Sequence, residues 1–226
     1  MKFYKVGGFV RDQIMGIKSH DLDYAVEAES YDEMRDYISS HGKIYLETPE
    51  FYTIRGKMPG MGDCDFVLCR KESDYTDGRH PDKVEVGTIL DDLARRDFTM
   101  NAIAIDEDGN YIDPFEGIAH IKNKAIICVG DTETQLKQDA LRMIRAVRLS
   151  VTKRMNIGYE IDHFLRNGYN SLLLDNISND RIKDEINKMW EFDPFNAFIA
   201  MRRYSTMFEY IFQTKDIWMK ATLEKR

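Results

Sequence analysis

Two carboxylates on alternate residues, Asp21 and Asp23, follow closely on a glycine pair, Gly7-Gly8, that opens the run Phe9-Val10-Arg11-Asp12. On a strand, residues two apart point to one face, so these aspartates would present two hard oxygen donors together, with Leu22, Tyr24 and Val26 turned to the core. Such a pair suits Mg²⁺, which keeps some waters and takes phosphate oxygens as further ligands. A carboxylate from a neighbouring strand would complete a two-metal site. Asp65, at the start of Phe66-Val67-Leu68, is the best placed, with Asp63 next. A site of that kind activates a hydroxyl and stabilises a departing pyrophosphate. Gly8 has no Cβ, so backbone N–H groups there can approach an anion, and the helix that should follow turns its positive end toward phosphates. The glycine pair is not part of a G-x-G-x-x-G fingerprint or a G-K-[ST] loop. Taken singly, each half has a plain reading: a tight turn for the glycines, a cap and an ion pair for the aspartates. Their order and short spacing matter, because one β-α-β segment delivers both to the same end of a sheet.

Two further clusters carry polar chemistry. Arg95-Arg96-Asp97-Phe98-Thr99-Met100-Asn101-Ala102 sets paired arginines, an aspartate and an asparagine at the entrance of an apolar strand. Guanidinium forks bind phosphate oxygens, and Asp97 and Asn101 can hydrogen-bond ribose hydroxyls. Solvation of a helix end is the alternative. In Gln138-Asp139-Ala140-Leu141-Arg142, Asp139 and Arg142 are three apart and so are expected on one helix face. They offer an acceptor and a donor to a base edge, or else an exposed intrahelical ion pair. His20 adjoins the aspartates, where a lone histidine is more commonly a packing or capping residue.

These groups need a scaffold. The first ~125 residues alternate short apolar runs with helical patterns, the mark of an α/β or α+β domain. Strands are expected over residues 3–6, 22–26, 43–46, 51–55, 65–69 and 102–105, and the turn 106–110 leads into Tyr111-Ile112 as a hairpin. Helices are expected over 10–15, 31–39 (with Ser30 as N-cap) and 89–93. The charged stretch 71–83 has no apolar period and reads as a mobile loop. From about residue 131 the apolar spacing becomes wholly helical, as in Leu141, Ile144 and Val147, or Ile182, Ile186 and Met189. The expected organisation is an α+β mixed-sheet head, 1–127, followed by an all-helical neck region, 128–226.

Composition narrows the class. Of 226 residues, 43% are hydrophobic and 12% aromatic, enough for a folded core. No apolar run approaches the ~20 residues that cross a bilayer, and the chain enters a strand with no signal-like segment, so a soluble, cytoplasmic protein without a membrane partner is expected. Three cysteines, Cys64, Cys69 and Cys128, make no C-x-x-C and no even framework, which fits reduced thiols. Cys64 and Cys69 share one expected strand at odd spacing and should face opposite sides of it. The net charge of −7 argues against a nucleic-acid binder, since such domains are often basic overall. Yet Arg142, Arg145, Arg148, Lys153 and Arg154 gather on one helix, and a local basic stripe binds phosphate even on an acidic protein.

Together these segments resemble the nucleotidyltransferase family of CCA-adding tRNA nucleotidyltransferases and bacterial poly(A) polymerases, whose head is polymerase-beta-like. The matching pieces run in the family's order: GGFVRDQIMG, HDLDYAV, RRDFTMNAIAID, DPFEGIAHIKNKAI, QDALRMIRAVRL, then ISNDRIKDE at 177–185. The resemblance implies that Asp21 and Asp23 bind metal, with Asp65 as the third acidic position. It implies that Gly7, Gly8 and Arg11 form the phosphate-side loop and helix, and that the segment 95–101 (Arg95, Arg96, Asp97, Asn101) holds the triphosphate and distinguishes ribose. It further implies that Asp139 and Arg142 act as an amino-acid template for CTP and then ATP. The carboxylate accepts from an exocyclic amino group and the guanidinium donates to ring acceptors, a pattern that cytosine and adenine satisfy and uracil and guanine do not. Arg145 is a neighbouring contact to nucleotide or primer, and 75–81 resembles the loop linked to the change from C to A addition.

The implied reaction is attack of an RNA 3′-hydroxyl on the α-phosphate of CTP or ATP with two Mg²⁺. Poly(A) addition or partial CC- or A-addition is the nearest alternative, and a non-catalytic nucleotide- or RNA-binding accessory protein the one of another class. Three departures stand out. Gln138 occupies a position usually held by Glu, which implies looser nucleotide selection. The segment 43–56 lacks the G-[RK]-[RK]-F pattern of many poly(A) polymerases, which favours CCA addition. Family members normally continue into a helical body and tail that grip tRNA. The expectation is that a homo-oligomer or partner protein supplies the grip, that the substrate is smaller, or that only the acceptor end is touched. The helices around Trp190, Arg202, Arg203 and Trp218 are then a reduced substrate platform or a dimer surface.

Overall fold

The computed structural model describes residues 1–19, 22–73, 83–215 and 217. Asp21, His20, Trp218 and the loop segment 75–81 lie outside the described residues. Two compact units are distinguished: residues 1–19, 22–73, 83–123 and 127–130 form the first, and 124–126, 131–215 and 217 the second.

The first unit is built on a seven-stranded mixed sheet. Its strands are β1 (Lys2–Val6), β2 (Asp23–Glu27), β3 (Lys43–Thr48), β4 (Thr53–Met58) and β5 (Gly62–Leu68), with β8 (Ala104–Ile105) and β9 (Tyr111–Ile112) after the separate ribbon β6 (Arg70–Ser73) and β7 (Lys83–Val86). The spatial order is β3-β4-β5-β2-β1-β8-β9, antiparallel throughout except for the parallel pair β2/β5. Period-two alternation explains how both faces are filled. Phe3, Tyr24, Val26 and Phe66 pack on one face with Met34 and Ile38 of α2 (Tyr31–His41). Tyr4, Val6 and Ala25 pack on the other with Ile89 and Leu93 of α3 (Ile89–Ala94). Cys64 and Cys69 fall in these opposite clusters, but they do not share a strand, because β5 ends at Leu68. The remaining helices of this unit are α1 (Gly8–Ile14), short and preceded by Gly7, and α4 (Gly117–Lys122). Asp113 caps α4 by accepting from Gly117 N and Ile118 N at 2.7 and 2.9 Å. Glycine is required at 117, where a Cβ would stand 2.2 Å from the Thr99 carbonyl oxygen.

Ser30 caps α2 as expected, accepting from Glu33 N at 3.1 Å, a bond that contributes about 1 kcal/mol. The 106–110 turn does join β8 to β9. The expected loop 71–83 is partly wrong, because Lys71–Ser73 and Lys83 belong to the antiparallel ribbon β6/β7. Its register sets Lys71 against Glu85, and such a ribbon is held by backbone bonds and cross-strand charge, so it leaves no apolar period to read.

The second unit is mostly helical: α5 (Thr132–Gln138), α6 (Leu141–Thr152), α7 (Tyr159–Arg166), α8 (Asn179–Phe192), α9 (Pro194–Arg203) and α10 (Ser205–Thr214), with a 3₁₀ segment at Gly168–Asn176. It also contains a two-residue parallel pair, β10 (Ala125–Ile126) with β11 (Asn156–Ile157), which corrects the expectation of a wholly helical region. Met143, Ile144 and Val147 of α6 are fully buried, each contributing about 1.5–3 kcal/mol. Ile182, Ile186 and Met189 of α8 are buried likewise, and Arg148 of α6 pairs with the buried Glu185 of α8. The basic stripe on α6 is therefore engaged in part within the fold. Among the described residues no helix is long and apolar enough to cross a membrane.

Candidate active site

Asp23 begins β2 and is the Cα partner of Asp65 on the parallel strand β5. In-register neighbours send their side chains to one face with their strands roughly 4.8 Å apart, so the two carboxylates stand side by side. Asp65 is partly exposed and lies 3.7 Å from Arg55. Asp63, two residues earlier on the same strand, accepts from the Tyr45 hydroxyl at 2.9 Å, and the register with Asp23 singles out Asp65 instead. Burial first, then the Asp65, Asp23 and Asp63 carboxylates, push the Cys64 thiol up to about 12. It stays protonated at neutral pH and is no candidate nucleophile.

The glycine turn reaches the same place. Gly7 adopts φ +71°, open to glycine at little cost. A Cβ on it would lie 3.0 Å from Arg96 Nη1 and 4.0 Å from Asp23 Oδ2. The loop backbone, one guanidinium and one metal-type carboxylate thus converge at the end of β1 and the start of β2. Only a residue without a side chain leaves that room.

Arg11, Asp97 and Asn101 form a buried chain of polar groups just beneath. Arg11 donates through Nε to Asp12 Oδ1 and through Nη1 to Asn101 Oδ1, both at 2.8 Å, and Asn101 Nδ2 donates to Asp97 Oδ1 at 2.9 Å. Asp97 Oδ1 also accepts from Phe98 N at 2.7 Å. Arg11 is 8% exposed and its charge is balanced by Asp12, so it braces the loop and the 3₁₀ turn Thr99–Asn101 against each other.

Asp92 was not among the residues singled out by sequence reasoning, yet it organises both arginines. It is 0% exposed. Its Oδ1 accepts from Arg95 and its Oδ2 from Arg96 Nη2 at 2.8 Å, while Arg96 Nη1 reaches the Asn101 carbonyl at 3.3 Å. Arg95 also meets Glu72 of β6 at 3.3 Å. Burial opposes the charge on Asp92, but the Arg96 and Arg95 guanidinium groups outweigh it and hold the carboxyl below its ordinary range. The signal was present as spacing: Asp92 lies three and four residues before the arginines, the separations at which helical side chains meet. The capping box of Thr88 with Asp91 fixes where α3 begins and so where Asp92 points.

Asp139, Arg142 and Arg145 belong to the second unit. The expectation that Asp139 and Arg142 share one helix face is overturned. Asp139 is extended (φ −141°, ψ 99°) in the break between α5 and α6, and only Arg142 and Arg145 are helical. A short carboxylate competes for nearby backbone N–H groups, and Asp139 Oδ1 accepts from Leu141 N at 3.1 Å. Its Oδ2 meets Arg181 at 3.5 Å. Arg142 is 9% exposed and donates to the side chain and the carbonyl of Gln135. A neutral amide three residues before Gln138 therefore helps hold this guanidinium. Arg145 is half-buried.

Among the described residues no group of three or more His, Cys, Asp or Glu side chains is arranged to hold a metal. The Asp23/Asp65 pair does fit a hard divalent cation, because it supplies two carboxylates on one face beside the Gly7 turn.

Residues 3–127 match the family model described as the Poly A polymerase head domain. A CCA-adding enzyme of Ligilactobacillus salivarius is 41% identical over 183 residues, covering 80% of this chain and 44% of that protein. Among solved structures, the Bacillus stearothermophilus CCA-adding enzyme in complex with CTP superposes with a TM-score of 0.75 at 30% identity, over 88% of this chain and 47% of that one. The Thermotoga maritima CCA-adding enzyme complexed with tRNA gives 0.72 at 25% identity, over 93% and 48%. The chain spans about half the length of the curated relatives it matches.

Proposed function

Since the chain belongs to the poly(A) polymerase head-domain family, we propose that it is a template-independent RNA nucleotidyltransferase that adds CMP and AMP, from CTP and ATP, to the 3′ end of tRNA. The observation that carries this reading is the in-register pair Asp23 and Asp65, set against the Gly7 turn and Arg96. In this reading residues 1–127 are the catalytic head and 128–226 the helical neck, and the protein works in the cytoplasm.

Asp23 and Asp65, with Asp21, would hold divalent cations, which we take to be two Mg²⁺, and such ions lower the pKa of an attacking hydroxyl and offset charge on departing pyrophosphate. The chain's own groups do the positioning. The Gly7-Gly8 backbone approaches the triphosphate, and Arg96, pinned by Asp92, turns a fixed guanidinium toward it. A donor that is already oriented has no reorganisation cost when negative charge develops. The chain Arg11–Asn101–Asp97 sets the polar wall on the ribose side. The RNA 3′-hydroxyl attacks the α-phosphate in line and pyrophosphate leaves. Base choice falls to Asp139 as acceptor and Arg142 as donor, with Gln135 and Gln138 as neutral neighbours and Arg145 beside them.

The test gives purified protein and Mg²⁺ a set of tRNAs ending before CCA, after C and after CC, with one nucleoside triphosphate at a time. Addition of C, C and A in turn is the expected result. A long A ladder without C would replace this reading with poly(A) synthesis, and RNA binding without any extension would replace it with an accessory binding protein.

A further inference from the structure

A second concave site lies wholly within the second unit. The C-terminal end of α6, the strand β11 and one side of α9 enclose a cavity of about 400 Å³. Arg154, Arg203, Asn156 and Asn196 supply polar groups to its lining, and Met155 and Ile199 apolar ones.

Arg154 is the residue after the α6 C-cap Lys153 and holds φ 52°. Its N–H donates to the Val151 carbonyl while Met155 N–H donates to that of Ser150, a helix-closing pattern that ordinarily selects glycine. An arginine there works against its backbone preference, and strain of this kind collects at functional positions. Among the described residues its guanidinium makes no hydrogen bond or close ion pair, and its charge is felt at longer range by Asp193.

Arg203 is oriented from behind, donating Nε and Nη2 to Asp162 at 3.1 and 2.7 Å. The nearby carboxylates are already occupied. Asp162 also accepts from Arg166 and the Tyr204 hydroxyl, and Asp193 from the backbone and side-chain N–H groups of Asn196.

We propose that this cavity is a phosphodiester-binding site that takes the ribose–phosphate backbone of the RNA, a contact additional to the reacting 3′ end. The Arg154 guanidinium, Arg203 Nη1 (its Nε and Nη2 being held by Asp162) and the Asn156 amide offer donors to phosphate oxygens. The apolar part of the lining suits a sugar, which a bare phosphate would leave uncovered. Contacts of this type fix position without reading sequence. The inference rests on RNA being the substrate, as proposed above.

Arg154→Gly tests it, because glycine removes the guanidinium and suits the left-handed backbone. Binding of a fluorescent RNA hairpin with a single-stranded 3′ end is followed by anisotropy across a salt series, beside thermal melting. Expected are an unchanged or slightly raised Tm, a Kd weaker by roughly tenfold, and a salt slope smaller by about one. The loss should be equal for unrelated RNA sequences. Ile199→Glu, at an exposed position of the lining, should weaken binding in the same direction by placing a carboxylate there, and Arg154→Lys should keep the salt slope.

Unchanged Kd and slope in both Arg154→Gly and Ile199→Glu overturn the site, as does a loss of affinity that only follows a fall in Tm. Stabilisation by inorganic phosphate that Arg154→Gly abolishes, with RNA affinity unchanged, would assign the cavity to a free anion and overturn the RNA reading. If the wild type binds RNA and both variants weaken that binding, yet it extends none, the proposed reaction fails and this site stands. If it extends RNA while neither variant alters Kd, this site alone fails.

Discussion

Replacing Asp92 by asparagine asks whether one buried carboxylate holds both arginines of the candidate site. The Asp92 side chain is 1% exposed and those of Arg95 and Arg96 are 20% exposed. Asparagine keeps one acceptor oxygen, turns an N–H toward the other guanidinium and removes the counter-charge of two partly buried cations. Breaking a buried pair from one side costs about 3–5 kcal/mol. Because Glu72 still reaches Arg95 and both cations keep some solvent, about 2–3 kcal/mol is expected here. For a chain of this length that lowers Tm by roughly 5–10 °C.

The pH dependence has a definite sign. The Asp92 carboxyl is held below the ordinary aspartate value of 3.8. Its contribution is therefore whole above that value and is lost as pH falls through the lower folded pKa. Calorimetry of wild type and Asp92→Asn should show the full gap near neutral pH and a narrowing gap in acid below the ordinary value. In parallel, the KM for CTP should rise, because Arg96 beside Gly7 loses its fixed orientation. Asp91→Asn, which alters only the half-buried partner of the capping box, should cost no more than about 1 kcal/mol and leave the KM unchanged. An Asp92→Asn protein that melts within about 1 °C of wild type, where the buried-pair cost requires several degrees, would refute the reasoning. So would a gap that is the same at every pH.

Asp23→Asn and Asp65→Asn should each lower single-turnover nucleotide addition by on the order of 100-fold or more with Tm retained; near-full activity in either would remove that carboxylate from the site. Gly7→Ala should cost about 1–3 kcal/mol for a positive-φ backbone with ψ −137° and raise the nucleotide KM, since its Cβ would crowd Arg96 Nη1 at 3.0 Å; wild-type melting and KM would contradict this. In the second unit, burial opposes the charge on Asp162, but hydrogen bonds from Arg166, Tyr204 and Arg203 outweigh it and hold the carboxyl at about 2 against an ordinary 3.8. Its stabilisation is thus present above the ordinary value and lost as pH falls toward about 2. Acid titration by circular dichroism should show the gap between wild type and Asp162→Asn closing in that window, and a gap that widens there would show the sign to be wrong.

Elements written in local pattern were legible before the structure. Tyr24 and Val26 against Ala25 marked β2 by alternation, Ser30 marked the start of α2, and the 106–110 turn marked a hairpin. Elements held by charge or by distant pairing were not. The ribbon β6/β7 has no apolar period, the two-residue strand β11 is too short to carry one, and Asp139 leaves the helix to satisfy Leu141 N.

The candidate site divides along the same line. Residue type and spacing by themselves marked Asp23, Gly7-Gly8 and Arg95-Arg96 as groups for phosphate and metal chemistry, because short-range geometry depends only on neighbours in the chain. That Asp65 stands in register with Asp23 required the parallel pairing of β2 with β5 across the intervening α2, β3 and β4. Asp92 meets the two arginines at local i,i+3 and i,i+4 spacing, but its burial, which shields those bonds from water, required the sheet and α3 to be packed together. Register and burial arise from contacts between distant segments, so tertiary structure alone decided which of the marked groups meet.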